Sequence, residues 1–151
     1  GYMVGGGLAL AMACDFRIMD AEAKLSIPEA ELGLFFTWGS TPRLTKLVGG
    51  SKAKELIMLC NEIGAEEALR IGLVDKVTPS GQLHTTVEEM LLKLKKRPFL
   101  PIRLTKKIIN SIEATANGNI AIFEPELHEH SHLTGIPQEC MRTMVNNLLR
   151  R

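Results

Sequence analysis

The sequence is that of an α/β chain whose C-terminal part is helical throughout. Three observations point there. Gly5, Gly6 and Gly7 run straight into an uncharged apolar segment, residues 8–14. Short strand-like runs, residues 15–20, 24–27 and 73–77, alternate with helix-like segments as far as residue 81. From Gln82 onward only helical periodicity remains. At 151 residues, one domain with a substantial core is expected.

Taken in order, residues 8–14 carry no charge on any face, so they predict a fully buried helix. Residues 15–20 set Phe16 and Ile18 against Arg17 and Met19 and read as a strand, and residues 24–27 read as a second. Pro28 suits the first position of a helix with Glu29 and Glu31 in its first turn and Gly33 as terminator. Residues 34–39, with Phe35, Phe36 and Trp38, form a bulky apolar loop. Ser40 or Thr41 caps a helix opened by Pro42 and closed at Gly49-Gly50, and Ser51 caps the next, residues 52–60, with Leu56, Ile57 and Leu59 inward. Residues 65–71 make a short helix stopped by Gly72, residues 73–77 a strand, and Pro79-Ser80-Gly81 a turn. Helices follow over 83–96, from Pro101 with Leu104, Ile108 and Ile112 on one side, over 120–133 and over 137–149.

Net charge is +1, which argues against a nucleic-acid footprint. No apolar run is long enough to span a bilayer, so no membrane partner is expected. Cys14, Cys60 and Cys140 are odd in number and far apart, which favours buried reduced thiols over a disulfide framework. The glycine run has two readings on residue types alone. It is a tight turn where a strand meets a packed helix, or it lets first-turn N–H groups approach a ligand that develops negative charge. It is neither a phosphate loop nor a dinucleotide fingerprint, since no Gly-Lys-Ser/Thr follows and Leu10 stands where the last glycine belongs.

The run Gly-Tyr-Met-Val-Gly-Gly-Gly-Leu-Ala-Leu-Ala-Met-Ala-Cys-Asp-Phe-Arg-Ile over residues 1–18 resembles the oxyanion-hole segment of the crotonase, or enoyl-CoA hydratase/isomerase, superfamily. The resemblance continues through residues 25–33, 41–49 and 65–77 and weakens after Lys96. It implies the C-terminal part of a crotonase (ClpP-like ββα spiral) fold. Residues 1–81 are then a partial ββα core, and residues 82–151 a helical region that covers the active site and builds trimers. The sequence opens at Gly1 in mid-motif. The family implies a preceding segment holding several strands, the first oxyanion N–H and most of the CoA surface, so these residues alone are expected to be nearly inactive.

By motif position the resemblance makes Gly6 the donor of the oxyanion N–H, flanked by Gly5 and Gly7, and makes Glu29 an acid/base. From residue physics alone Glu29 is a surface carboxylate favoured at a helix N-terminus. Hydratases of the family carry a second glutamate where Ala9 stands. An apolar residue there with a glutamate at Glu29 resembles the Δ3,Δ2-enoyl-CoA isomerases, in which one glutamate shuttles a proton between C2 and C4 of an enolate. Phe35, Phe36 and Trp38 read as core or as an acyl-chain pocket.

The resemblance implies an acyl-CoA substrate, with CoA present only as part of it and no cofactor. It also implies a homo-oligomer (a trimer or dimer of trimers) and a cytoplasmic or, in a eukaryote, organellar location. His128-Glu129-xx-His132-xx-Gly135 matches a zinc-hydrolase pattern. Gln138 stands where a third histidine would, and the sequence stops at Arg151 without a distant carboxylate, so a polar helix face is the reading and no metal is expected. Lys93, Lys95, Lys96, Arg97, Arg103, Lys106 and Lys107 read as solvated helix faces, or in part as contacts for CoA phosphates. A catalytically silent acyl-CoA-binding or interaction module on the same fold is the alternative to an enzyme.

Overall fold

A computed structural model describes residues 1–116, 129 and 132–149. Five short strands alternate with helices: β1 Tyr2–Val4, α1 Gly6–Met12, β2 Ile18–Asp20, β3 Lys24–Ser26, a 3-10 helix Pro28–Leu32, α2 Ser40–Leu59, β4 Ile63–Gly64, α3 Ala65–Arg70 and β5 Lys76–Thr78. Among the described residues only helices follow: α4 Leu83–Lys95, α5 Phe99–Ala116 and α6 Ile136–Leu149. The expected helix over 120–133 falls largely outside the described residues; His132 and Leu133 are helical.

β1 and β3 are parallel neighbours in register Met3↔Leu25, and β4 adds antiparallel to β3. A parallel pair needs a crossover, which residues 5–23 supply. This pairing places the site. Two adjacent parallel strands end at the same edge, so the chain leaving β1 at Gly5 and the chain leaving β3 at Ile27 emerge side by side. β2 and β5 form a separate parallel pair, Ile18↔Lys76.

The core gathers Leu8, Ala9 and Met12 of α1, Leu25, Ile27, Phe36, Leu44 and Leu56 of the middle, and Ala68, Leu73 and Val74. Burying a Leu or Phe side chain contributes roughly 1.5–3 kcal/mol, so these side chains supply the main drive for folding. Helix α1 is not buried all round as expected: Leu10 is 72% exposed. Lack of charge removes the objection to burial, but burial needs a neighbour, and none of the described residues covers that face. Cys14 is likewise exposed and Cys60 and Cys140 half-buried, all three free. Leu59, expected inward, is 61% exposed.

Further boundaries shift for local reasons. The break expected at Gly49-Gly50 is present as a kink at Gly49 (φ 78°, ψ 158°), on either side of which the two helical stretches form α2. Its start is set by Gly39 in the left-handed region, with no side-chain cap; the Thr41 hydroxyl donates instead to the Phe36 carbonyl at 2.6 Å. Leu73 and Val74 lie in the turn before β5, which begins at Lys76. In α5 the apolar period is real, but Leu104, Ile108 and Ile112 all face outward. That helix is tied to the core by Lys46 Nζ, which donates to the Glu113 carbonyl at 2.7 Å, and by the Lys106–Asp15 ion pair. Between α5 and the core lies a groove of about 1030 Å³, lined in part by Arg43, Lys46, Arg97 and Lys106. No helix among the described residues is long and apolar enough to cross a membrane.

Two contacts join distant parts of the chain. Helix α6 packs on the 3-10 helix, whose C-cap Gly33 (φ 68°) lies against it. A Cβ on Gly33 would sit 2.8 Å from Ile136 Cγ2 and 3.1 Å from the Pro137 nitrogen. Arg17, ahead of β2, fastens the turn before β5. Its Nε donates to the Leu73 carbonyl at 2.9 Å, its Nη2 to Asp75 Oδ1 at 3.1 Å and its backbone N–H to Asp75 Oδ2 at 2.6 Å. The Arg17 side chain is only 11% exposed. Arg17→Ala leaves these acceptors short of a charged donor, and bonds of that kind contribute roughly 1.5–3 kcal/mol. The expected result is a melting temperature lower by roughly 5–10 °C in a chain of this size, read by circular dichroism; an unchanged melt would mean the network contributes nothing.

Candidate active site

The site is built where β1 and β3 end. Gly5 follows β1 with φ 48° and ψ −111°, a conformation that L side chains rarely adopt. Its N–H donates to the Ser26 carbonyl at 3.0 Å, which closes the edge of the β1–β3 pair. Gly6 then opens α1, and its N–H has no backbone acceptor among the described residues, as first-turn amides do not. The Gly7 N–H likewise has no backbone acceptor among the described residues, so both first-turn amides are free to meet a ligand, whereas that of Gly5 is used in the sheet. Gly7 is an ordinary helical position, with Met3 Cγ at 3.8 Å from a Cβ built there.

Glu29 arrives from the other strand. Ile27 ends the path from β3, Pro28 opens the 3-10 helix, and Glu29 is its second residue. The carboxylate lies on Gly5: a Cβ there would overlap Glu29 Oε1 and stand 3.2 Å from Cδ. Glu29 Oε2 is buried and has no hydrogen-bond partner among the described residues. Burial pushes the carboxyl pKa above the ordinary range, with the residue's own backbone N–H pulling weakly the other way. A desolvated carboxyl with an unused oxygen is the arrangement that a general acid/base needs. Glu31, two residues on, is exposed and belongs to a different concavity, with Glu139, Cys140 and Met144 of α6.

The apolar loop divides. Phe36 is 1% exposed and belongs to the core, while Phe35 is half-buried. Trp38 is 69% exposed, yet its indole rests on the site: a Cβ on Gly6 would lie 2.8 Å from its Cζ3. The sequence reads Trp38 as core or as acyl-chain pocket and gives no sign of its contact with Gly6. Trp38 and Gly39 both take positive φ, 61° and 66°. Ala9 lies one turn into α1 at 7% exposure, among core side chains. No other carboxylate is among the nearest neighbours of the three glycines.

Of the histidine motif, His128 lies outside the described residues. Among the described residues no group of three His, Cys, Asp or Glu side chains is placed to hold a metal ion.

A family model described as "Enoyl-CoA hydratase/isomerase" matches residues 1–142. The chain belongs to that family. Members similar to it include a short-chain-enoyl-CoA hydratase of Clostridium acetobutylicum, 42% identical over 110 residues, covering 73% of this chain and 42% of that protein. Another, of Clostridioides difficile, is 46% identical over 104 residues, covering 69% of this chain and 67% of that protein. The crystal structure of an enoyl-CoA hydratase from Mycobacterium smegmatis superposes with a TM-score of 0.83 at 29% identity, over 89% of this chain and 61% of that one. The crotonase fold expected from the sequence is therefore the fold observed. The chain spans from 42% to 67% of the length of these relatives. Their names are those of hydratases, and the enoyl-CoA hydratase/isomerase family covers both reactions.

Proposed function

We propose that this member of the enoyl-CoA hydratase/isomerase family acts on acyl-CoA thioesters and that its reaction is double-bond migration, from a 3-enoyl to a 2-enoyl thioester. The carrying observation is that, among the described residues, one carboxylate, Glu29, is set against the glycine run at Gly5, with a buried oxygen that has no partner among them. The α-proton of a thioester is weakly acidic. Glu29 takes it from C2, the thioester carbonyl becomes a dienolate oxygen, and the Gly6 N–H donates to that oxygen. Protonated Glu29 then returns the proton at C4, so the double bond shifts and no atom is gained or lost. CoA enters as part of the substrate. Addition of water uses a second acid/base, and the residue one turn along α1 is Ala9, packed in the core.

The test measures both reactions on one preparation of the full-length protein. Conversion of a 3-enoyl-CoA is expected to exceed hydration of a 2-enoyl-CoA by about 10²–10⁴, the usual contribution of one acid/base group. Ala9→Glu is expected to raise hydration more than isomerisation. Because Ala9 is 7% exposed, the new carboxylate also lowers the melting temperature, so the two activities are compared within each variant. Fast hydration with Ala9 in place overturns the isomerase assignment. Acyl-CoA binding with neither reaction would make the chain a binding module.

A further inference from the structure

Trp38 is the chain's only tryptophan, and it is held in an unfavourable way. A bulky residue at φ 61° is strained by about 1–3 kcal/mol, and the next residue, Gly39, repeats the conformation at φ 66°. What secures the corner is Arg43. Its Nη1 donates to the Trp38 carbonyl at 3.1 Å and to the Gly39 carbonyl at 3.0 Å. The guanidinium sits so close that a Cβ on Gly39 would be 2.8 Å from Nη1. Strain at a residue with this much surface in water is not explained by packing: the side chain is 69% exposed. One part of the ring rests on the Gly6 α-carbon, beside Glu29, and the rest is open.

We propose that the open face of Trp38 is the platform on which the acyl chain lies, and that Arg43 is the positioning residue that holds it there. The proposal rests on the acyl-CoA reading above. A group whose carbonyl oxygen meets the Gly6 N–H and whose C2 meets Glu29 has the indole as its adjoining apolar surface. A flat ring accepts a hydrocarbon chain by area and without hydrogen bonds. Affinity should then grow with chain length by up to about fourfold for each methylene laid on the ring.

The experiment titrates the protein with free CoA and with saturated butyryl-, hexanoyl- and octanoyl-CoA, which do not react, by calorimetry and by tryptophan emission. Emission is expected to change with the acyl thioesters and not with free CoA, and affinity to rise with length. Trp38→Ala should flatten that rise while leaving the affinity for free CoA within about twofold. Arg43→Ala should flatten it too, with the indole still present, and Arg43→Lys, which keeps a donor for the two carbonyls, should restore it. An unchanged length dependence in folded Trp38→Ala overturns the platform, and so does an emission spectrum indifferent to acyl chains that calorimetry shows to bind. Equal length dependence in Arg43→Ala and wild type overturns the role of Arg43. Should no acyl-CoA bind the wild-type protein, the acyl-CoA reading falls first and this inference with it.

Discussion

Glu29→Gln is expected to give a protein that has lost the isomerase activity proposed above and become more stable at neutral pH. The two effects have one cause. The Glu29 carboxyl is partly withdrawn from water, one oxygen has no partner, and its pKa stands above the ordinary range because of that burial. Glutamine has nearly the same shape and carries no titratable proton, so the C2-to-C4 shuttle stops; general acid–base catalysis accounts for about 10²–10⁴ in rate, and the loss should be of that size. For stability the sign runs as follows. A folded-state pKa raised above the unfolded value means that the folded protein holds the proton more tightly. Below the ordinary carboxylate range both states are protonated, and wild type suffers no penalty. As pH rises through the unfolded and then the folded pKa, wild type loses stability, and above the folded pKa it carries the full cost of a desolvated charge. Glutamine carries none. The melting temperature of Glu29→Gln should therefore exceed that of wild type at pH 7, and the gap should close in acid. A variant that keeps its rate would move the acid/base role to another residue, and a gap that widens in acid would contradict the burial.

Gly5→Ala is expected to cost about 10²-fold in rate together with a drop in melting temperature, although it adds a single methyl group. Gly5 sits at φ 48°, and its missing Cβ is the space that Glu29 Oε1 occupies. Strain of roughly 1–3 kcal/mol follows from the backbone alone. The carboxylate must also move aside, and displacements near 1 Å at a reacting group cost about 10²-fold. Gly7→Ala is the control. It is a helical position with its nearest neighbour at 3.8 Å, where alanine is favoured over glycine by about 0.5–1 kcal/mol. Steady-state rates and thermal melts of the two variants check this. If Gly5→Ala were as benign as Gly7→Ala, Glu29 would not lie on Gly5 in solution.

Much of the local structure around the candidate site was legible because local chemistry fixes it. Pro28 opening a short helical turn and Gly33 ending it in the left-handed region were readable from residue type, and so was the break at Gly49. The glycine run was readable as a close approach, and the structure adds what approaches: Glu29 at Gly5 and Trp38 at Gly6. Periodicity was a weaker guide, because it tells which side chains share a face and not what covers them. Leu104, Ile108 and Ile112 share a face that points outward, and Leu10 is exposed on a helix with no charge to keep it there. The Arg43 clamp had no signature at all. It depends on two consecutive left-handed residues, of which one is a tryptophan that propensity would never place there. The motifs carried the family, while the proposed reaction turns on Ala9, a residue whose meaning lies in what it lacks.

The seating of Gly33 against Ile136 and Pro137 has a consequence for the order in which the molecule comes into being. The turn that carries Glu29, the proposed acid/base, is braced by atoms more than a hundred positions later in the chain. A ribosome releases residues in sequence, and closing so long a loop is slow compared with forming neighbouring turns. The nascent chain therefore exposes its glycine run and its glutamate early, with the glutamate's turn unbraced until α6 has emerged and docked. Until then the turn that carries Glu29 lacks the contact that α6 supplies.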